Sequence, residues 1–314
     1  MDTNKIINAD SLEHLKTLDD NVFDSCVTDP PYHLQSIVKR FTKGPAAKHG
    51  KDGSFNRLSK GFMGQEWDGG DIAFQKEFWE QVYRTIKPKG VLLAFAATRN
   101  YHRMAVAIED AGFEIFDMIN WVYGSGFPKR KNLLKPAHEP IVMARKGVNK
   151  DLNLDECRVS LDENDNPKNW HSNRNKKVYK NTENIFKLGM KNISSKQNDK
   201  GRYPSNFIHD GLDEDWSKYF YCTKASKKEK GNTDHPTVKP LDLMKYLVKL
   251  VTPKNGLVLD PFAGTGTTGE AAILENRKYY LIEKTKKYIP TIEKRLNKHN
   301  KFFIWAWLYQ YYML

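Results

Sequence analysis

Apolar positions along the chain alternate between short continuous runs and a repeat of three to four, the rhythm of strands interleaved with helices. Lys5-Ile6-Ile7-Asn8 predicts a short strand ending at Ala9-Asp10. Ser11 is placed to cap a helix whose stripe is Leu12, Leu15 and Leu18. Phe23-Asp24-Ser25-Cys26-Val27 reads as a buried strand. Phe74, Phe78, Val82 and Ile86 recur every four residues, which predicts a helix over 74–86, stopped by Lys87-Pro88-Lys89-Gly90. The apolar run Val91-Leu92-Leu93-Ala94-Phe95 is a second buried strand. A helix over 101–111 ends at Gly112, and strands are predicted over 113–122 and 140–146. Near the end come a helix at 240–251, a strand at 256–259, a helix at 267–275, a strand at 279–282 and a helix at 285–297. This order argues for an α/β fold with a mainly parallel, doubly wound sheet.

Three stretches break the rhythm. Residues 34–70 are polar, glycine-rich and basic, a long loop expected beside the site that precedes it. After Tyr123-Gly124-Ser125-Gly126-Phe127-Pro128, residues 150–230 are rich in asparagine and lysine with weak periodicity. Between Lys168 and Lys200, nine lysines and arginines face only Glu183 and Asp199, with Trp170, Tyr179 and Phe186 interspersed. That segment reads either as a solvated insert or as a module contacting nucleic acid. The closing residues 302–314 are nearly all aromatic or aliphatic, too short to span a bilayer, and can dock on the body or on a partner subunit. The expected division is therefore 1–122, an insert over 123–230, a second α/β half over 231–300, and the tail 301–314.

A net charge of +13 and a pI near 9.4 favour a polyanionic partner without identifying one. Cys26, Cys157 and Cys222 show no metal-ligand spacing and read as reduced thiols of a cytoplasmic protein. Met1-Asp2-Thr3-Asn4-Lys5 leads into a strand rather than an apolar signal region, and no stretch has the length of a membrane span.

Two motifs carry chemistry. Thr28-Asp29-Pro30-Pro31-Tyr32 sits where a strand stops, and two prolines with fixed φ and no N–H make the turn stiff. It holds a carboxylate, outward carbonyls and an aromatic ring in fixed relation, suited to gripping a flat group with an amino edge. Taken alone, it is equally an ordinary turn with a packed tyrosine. Downstream, Val258-Leu259-Asp260-Pro261-Phe262-Ala263-Gly264-Thr265-Gly266-Thr267-Thr268 reads as strand, glycine turn and helix. Its glycines admit close approach of a ligand, and the new helix presents free N–H groups. It is neither a P-loop nor the spaced dinucleotide fingerprint. Glu283 ends the next strand, where a carboxylate meets a ribose diol in nucleotide-binding α/β folds.

Together these motifs resemble the S-adenosylmethionine-dependent amino-methyltransferases of DNA, in the permuted beta arrangement where the Asp-Pro-Pro-Tyr motif precedes the cofactor motif. His235-Pro236-Thr237-Val238-Lys239-Pro240 and Lys135-Pro136-Ala137-His138-Glu139-Pro140-Ile141-Val142 add to the resemblance. So do Gly201-Arg202-Tyr203-Pro204-Ser205-Asn206 and 220–226, all similar to bacterial and phage members. The likeness covers most of residues 5–298 and is weakest over 150–200. It implies a seven-stranded, largely parallel Rossmann-like sheet with one reversed strand, and a target-recognition region inserted between the motifs. It further implies that Asp29, Pro30, Pro31 and Tyr32 form the catalytic turn. Asp260, Phe262, Ala263, Gly264, Thr265 and Gly266 would then surround the cofactor, with Asp29 alongside. Glu283 would bind its ribose, Asp10 its adenine edge, and Thr237 and Lys239 would sit near its methionine end. Lys129, Arg130, Lys131, Arg174, Lys176, Lys177 and Arg202 are the candidate contacts to double-stranded DNA. A second copy of the chain and a cognate restriction enzyme are further partners the resemblance brings with it; a metal is not among them.

The activity so implied is methylation of adenine N6 after base flipping, with cytosine N4 as the alternative on the same scaffold. Asp in the first motif position favours adenine. RNA or protein methylation and a non-catalytic DNA-binding role are more distant readings: the first goes with the reverse motif order, and the second sits poorly with intact motifs. Ring-carbon cytosine methylation needs a cysteine after a proline, and none of the three cysteines follows one.

Overall fold

The computed structural model describes residues 2–32, 71–123, 134, 137–147, 152–159, 201, 203–209, 225–226 and 238–299. Among the described residues, eight strands form one sheet: β1 (Lys5–Ile7), β2 (Phe23–Thr28), β3 (Ile86–Phe95), β4 (Glu114–Val122), β5 (His138–Arg145), β6 (Phe207–His209), β7 (Leu257–Asp260) and β8 (Lys278–Ile282). Their order across the sheet is β1-β8-β7-β2-β3-β5-β4-β6. Neighbours from β1 to β3 are parallel, β5 runs antiparallel to both β3 and β4, and β6 lies parallel to β4. The doubly wound sheet with one reversed strand is as expected; the count is eight rather than seven. The additional strand is β6, three residues at the sheet edge inside a stretch of weak apolar periodicity.

The helices are α1 (Ser11–Lys16), α2 (Lys76–Thr85), α3 (Tyr101–Asp110), α4 (Leu241–Val251), α5 (Thr267–Leu274) and α6 (289–299). The α2 stripe buries Phe78, Trp79 and Val82, and the Trp79 indole N–H donates to the Ala73 carbonyl at 2.9 Å, so its one polar atom is satisfied inside the core. The predicted helix over 74–86 loses its ends: Ile72–Phe74 is a single 3-10 turn, and Ile86 already belongs to β3. Another shift is at α1, where Asp10 rather than Ser11 is the N-cap, accepting from the N–H groups of Leu12 and Glu13 at 3.1 and 3.3 Å. Ser11 is the first helical residue, and its hydroxyl donates to the Pro261 carbonyl, tying α1 to the turn after β7. The last predicted helix begins later than 285, after a 3-10 turn at Lys286–Tyr288.

The strands cover one another by residue type. β3 and β5 are fully buried over Val91–Phe95 and Pro140–Ala144, as expected for strands with helices on both faces. Leu92, Ala94, Val142, Leu259 and Ile282 join Phe78, Trp79, Met104 and Ile108 in one apolar cluster.

The chain separates into two compact units, residues 1–153 with 205–314, and Leu154–Pro204. Strands β5 and β6 belong to the main sheet. Within the smaller unit, Arg158 pairs with Asp155 at 2.7 Å, donates to the Gly201 carbonyl at 2.8 Å and lies 3.9 Å from the Tyr203 ring centre. The loop over 34–70, the basic stretch over 168–200 and the aromatic tail lie outside the described residues. Cys26 and Cys157 are buried free thiols. Among the described residues no helix is long and apolar enough to cross a membrane.

Candidate active site

Parallel strands end on one side of a sheet, so whatever follows β1, β8, β7, β2 and β3 collects along a single edge. Asp10 follows β1, Glu283 follows β8, the glycine turn follows β7, Asp29 follows β2, and Asn100 lies beyond β3. The reversed strand β5 contributes its beginning to that edge, which brings Glu139 there; the register pairs Phe95 with Ile141.

Asp29 is the centre of a tight polar cluster. The Lys239 ammonium donates to Asp29 Oδ2 at 2.6 Å, and the Tyr32 hydroxyl donates to Asp29 Oδ1 at 2.7 Å. Glu139 Oε2 stands 3.2 Å from the same ammonium and 3.2 Å from the same hydroxyl. Lys239 also reaches the Tyr32 oxygen at 3.2 Å and lies 4.7 Å from the Phe95 ring centre. The Tyr123 hydroxyl donates to Glu139 Oε1 at 3.4 Å. The Asn100 amide donates to the Tyr32 carbonyl at 2.5 Å, pinning the far end of the proline turn to the β3 side. Burial lifts the Asp29 carboxyl above its ordinary range, with Lys239 pulling it down and Glu139 pushing it up. The same burial opposes charge on Lys239, but Asp29 and Glu139 outweigh it and its pKa is raised. Burial and the two carboxylates together push the Tyr32 phenol far up, so it stays a hydroxyl donor.

The second cluster organises the glycine turn. Asp260 is 3 % exposed and accepts from the Thr28 hydroxyl at 2.9 Å, the Phe262 N–H at 3.1 Å and the Thr268 hydroxyl at 2.5 Å. One carboxylate therefore fixes the end of β2, the turn after β7 and the start of α5 together. Burial raises it to about 6 in spite of those donors, and Asp29 adds to the rise. Gly264 and Gly266 adopt positive φ of 54° and 79°, the left-handed region that glycine enters without cost from a Cβ. A Cβ on Gly266 would stand 2.7 Å from Ile292 Cγ2, so close packing of α6 also demands glycine there. Glu283 accepts from the Gly264 N–H at 2.8 Å and the Thr285 N–H at 2.7 Å, and burial raises its pKa. The Thr285 side chain also hydrogen-bonds the carboxylate, and of its four acceptor sites one remains for a further donor.

Of the predicted cofactor residues, Asp29, Lys239, Asp260, Phe262, Ala263, Gly264, Thr265, Gly266 and Glu283 come together along this edge. Ala263 and Thr265 are buried within the turn, and Phe262 packs on Phe78 at a ring separation of 5.1 Å. Asp10 is at the same edge, but its oxygens already serve the α1 cap and an ion pair with Lys284 at 2.9 Å. Pro30 is buried and Pro31 half-buried, consistent with a turn held by its neighbours. Thr237, Lys129, Arg130, Lys131, Arg174, Lys176, Lys177 and Arg202 lie outside the described residues. Glu139, Asn100, Tyr123, Thr28 and Thr268 are site residues that the motifs did not single out. Glu139, Thr28, Thr268 and Tyr123 stood inside the quoted stretches without a role of their own; Asn100 carried no signal in the sequence.

This edge, with its glycine turn, buried acid after the neighbouring strand and Asp-Pro-Pro-Tyr turn, has the layout of an α/β methyltransferase. The DNA methylase family, which takes in N6- and N4-directed enzymes, matches residues 23–294. The chain belongs to that family. It is 26% identical over 295 residues to the type II methyltransferase M.HpaI of Haemophilus parainfluenzae, covering 93% of this chain and 74% of the relative. It is 28% identical over 296 residues to M.HindIII of Haemophilus influenzae, covering 89% and 90%. The same fold occurs in the M1.HpyAVI–SAM complex, with a TM-score of 0.53, 21% identity and coverage of 93% and 98%. It also occurs in the cytosine-N4-specific PvuII DNA methyltransferase, with a TM-score of 0.56, 16% identity and coverage of 94% and 86%.

S-adenosylmethionine is the methyl donor of the family, and the residues present suit it. Glu283 keeps acceptor capacity for a ribose diol, the turn is glycine where the backbone bends tightly, and Phe262 offers a half-buried ring.

Proposed function

We propose that the chain methylates N6 of adenine in double-stranded DNA, acting in the cytoplasm on a base turned out of the duplex. The observation that carries this reading is the Asp29 carboxylate, held beside the Tyr32 ring on the same edge as the glycine turn and Glu283. The bound cofactor supplies an electrophilic methyl group. An adenine amino nitrogen is a weak nucleophile, because its lone pair is delocalised into the ring. Hydrogen bonds from that amino group to Asp29 and to the Pro30 carbonyl localise the lone pair, and the Tyr32 face holds the base flat by stacking. Such orientation is worth up to about 7–11 kcal/mol in intramolecular reactions, and no covalent intermediate is needed. Turning the base out costs a few kcal/mol, which stacking in the pocket offsets. Asp in the first motif position supports adenine over cytosine. Digesting DNA treated with protein and donor to nucleosides tests the reading: N6-methyladenine supports it, and N4-methylcytosine reassigns the base.

Glu283→Ala is expected to weaken cofactor affinity by roughly 1–3 kcal/mol, the range for a lost hydrogen bond to a charged group. Calorimetry that returned the wild-type affinity would remove Glu283 from the cofactor site. For DNA, the basic stretch over 168–200 supplies the argument: its cations would displace counterions from phosphates, making binding steeply salt-dependent. Neutralising Lys176 and Lys177 together is expected to lower DNA affinity and flatten the logarithmic salt slope by up to about two, roughly one per lost phosphate contact. An unchanged slope would move target recognition to 123–146 and 201–226. A second copy of the chain and a cognate restriction enzyme remain part of the same proposal, checked by sedimentation and by the methylation state of the host's sites.

A further inference from the structure

Asn100 breaks a local rule, and the break points at the catalytic turn. An asparagine at the start of a helix ordinarily turns its side-chain oxygen onto the first N–H groups. Asn100 stands at the N-cap of α3, yet its side chain makes no cap hydrogen bond, and its backbone, at φ −127° and ψ 6°, is outside the extended cap conformation. Main-chain bonds hold the helix start instead. The Tyr101 N–H donates to the Ala97 carbonyl at 2.9 Å, and the Arg103 N–H to the Asn100 carbonyl at 3.0 Å. The Asn100 amide serves a segment 68 residues away: its nitrogen donates to the Tyr32 carbonyl at 2.5 Å. Its oxygen is left buried with no hydrogen-bond partner among the described residues. A buried acceptor without a donor is costly, and in a folded protein it calls for an explanation. The opposite orientation of the amide would set two oxygens 2.5 Å apart, so the contact to Tyr32 dictates which end is orphaned.

We infer that Asn100 is a positioning residue for the target base: it holds Tyr32 so that the ring is set as a stacking surface before the base arrives. This rests on the proposed capture of a base turned out of DNA. Tyr32 is restrained at three points. On its N-terminal side, Pro31 has a fixed φ. At the far end of the ring, the hydroxyl donates to Asp29 Oδ1 at 2.7 Å. The Asn100 amide supplies the third restraint by holding the carbonyl, where the chain leaves the turn. Without it the main chain of Tyr32 can rotate at that exit, and the ring swings on its hydroxyl anchor. Strands β2 and β3 pair as far as Thr28 and Ala94, so Asn100 ties together the exits of two neighbouring strands. A ring already in place spares the base the entropy of ordering it, which is where preorganisation helps binding. Asn100 acts on the base only through Tyr32.

Truncation of the side chain separates this role from plain support of the fold. α3 does not use the amide, and truncation removes the orphaned oxygen along with the donor, so Asn100→Ala should unfold in urea near the wild-type midpoint. Asp260 and Glu283 hold the glycine turn, so cofactor affinity should stay within a few-fold of wild type. The rate of methyl transfer should fall by up to about 100-fold, the scale at which an ångström of misplacement is felt. A base that leaves the duplex and meets a displaced ring also stacks less well. 2-Aminopurine, an adenine analogue whose emission is quenched by stacking, reads this directly. Placed at the target position, it should be partly quenched by Tyr32 in the wild-type complex and brighter in the Asn100→Ala complex.

The experiment first maps the methylated position with the wild type. Single-turnover transfer to that duplex and 2-aminopurine emission at that position are then measured for the wild type, Asn100→Ala and Asn100→Ser, with calorimetric cofactor binding and urea denaturation alongside. The serine hydroxyl is one bond short of the Tyr32 carbonyl, so both variants should transfer slowly and emit brightly. Slow transfer with brighter emission at an unchanged urea midpoint supports the inference. Wild-type turnover or unchanged emission overturns it, and so does slow transfer that tracks a lowered urea midpoint, the mark of structural support alone. Should Asn100→Ala not fold, Asn100→Ser is read by the same criteria; if neither folds, Asn100 serves the fold and the inference fails. A wild type that transfers no methyl group to DNA would overturn the proposed function, whereas an active wild type with an equally active Asn100→Ala overturns the inference alone.

Discussion

Asp29→Ala is expected to abolish methyl transfer while leaving cofactor affinity within a few-fold. The substitution removes the acceptor that orients the target amino group, an interaction that matters most as the lone pair turns toward the methyl group. Loss of one such preorganised partner in other enzymes costs about 10²–10³ in rate. Here the loss should be at least that large, because the same side chain also anchors Tyr32 and Lys239. In the variant both donors have Glu139 Oε2 to fall back on, so the fold should survive. The glycine turn is held by Asp260 and Glu283 rather than by Asp29, which is why cofactor binding should persist. Quench-flow transfer to DNA, with calorimetry in parallel, checks both halves. Turnover near the wild-type value would show that the carboxylate has another role.

Lys239→Met should have the largest effect on stability. The Lys239 side chain is 9 % exposed and is the cation between the Asp29 and Glu139 carboxylates. Removing one partner of a buried ion pair costs about 3–5 kcal/mol, an upper range here because the Asp29 and Glu139 carboxylates left without their counterion are 22% and 19% exposed. The sign of the pH dependence follows from Asp29. Its folded-state pKa is already raised by burial, and losing Lys239 raises it further. A carboxyl that binds its proton more tightly when folded than when unfolded gains stability as pH falls through its folded pKa, a gain complete below the unfolded one. The deficit of Lys239→Met relative to wild type should thus be greatest near pH 8 and shrink toward pH 5. Urea denaturation at both pH values measures it. A deficit below about 1 kcal/mol, or one independent of pH, would mean that solvent screens the pair as it does at an exposed site.

The strands and helices that build the sheet were legible because their burial is periodic. Val91–Phe95 is apolar at every position since β3 is covered on both faces, and α4 repeats Leu243, Leu247 and Leu250 because one side packs inward. Strand β6 was not legible: Phe207-Ile208-His209 stands in a stretch with weak apolar periodicity, whereas the equally short β1 heads a regular alternation of strand and helix. The capping of α1 was misjudged by one residue, since Asp and Ser are both good N-caps and stand side by side. Asp10 was assigned to the adenine edge through the resemblance, and the structure gives it two protein partners at once.

For the site, the sequence by itself determined which groups are rigid. Two prolines after a strand, glycines after another and an acid after a third are local constraints, and each acts within a few residues of its own position. What only the tertiary structure decided is which of those groups meet. Asp29 and Lys239 are 210 residues apart in the chain and 2.6 Å apart in space, and Thr28 reaches Asp260 across 232 residues. Glu139 joins them because β5 runs against its neighbours, which delivers the beginning of that strand to the edge where the parallel strands end. Strand direction is set by how crossovers pack on both sides of the sheet, a property of the assembled chain. Nothing in the residues around Glu139 records it.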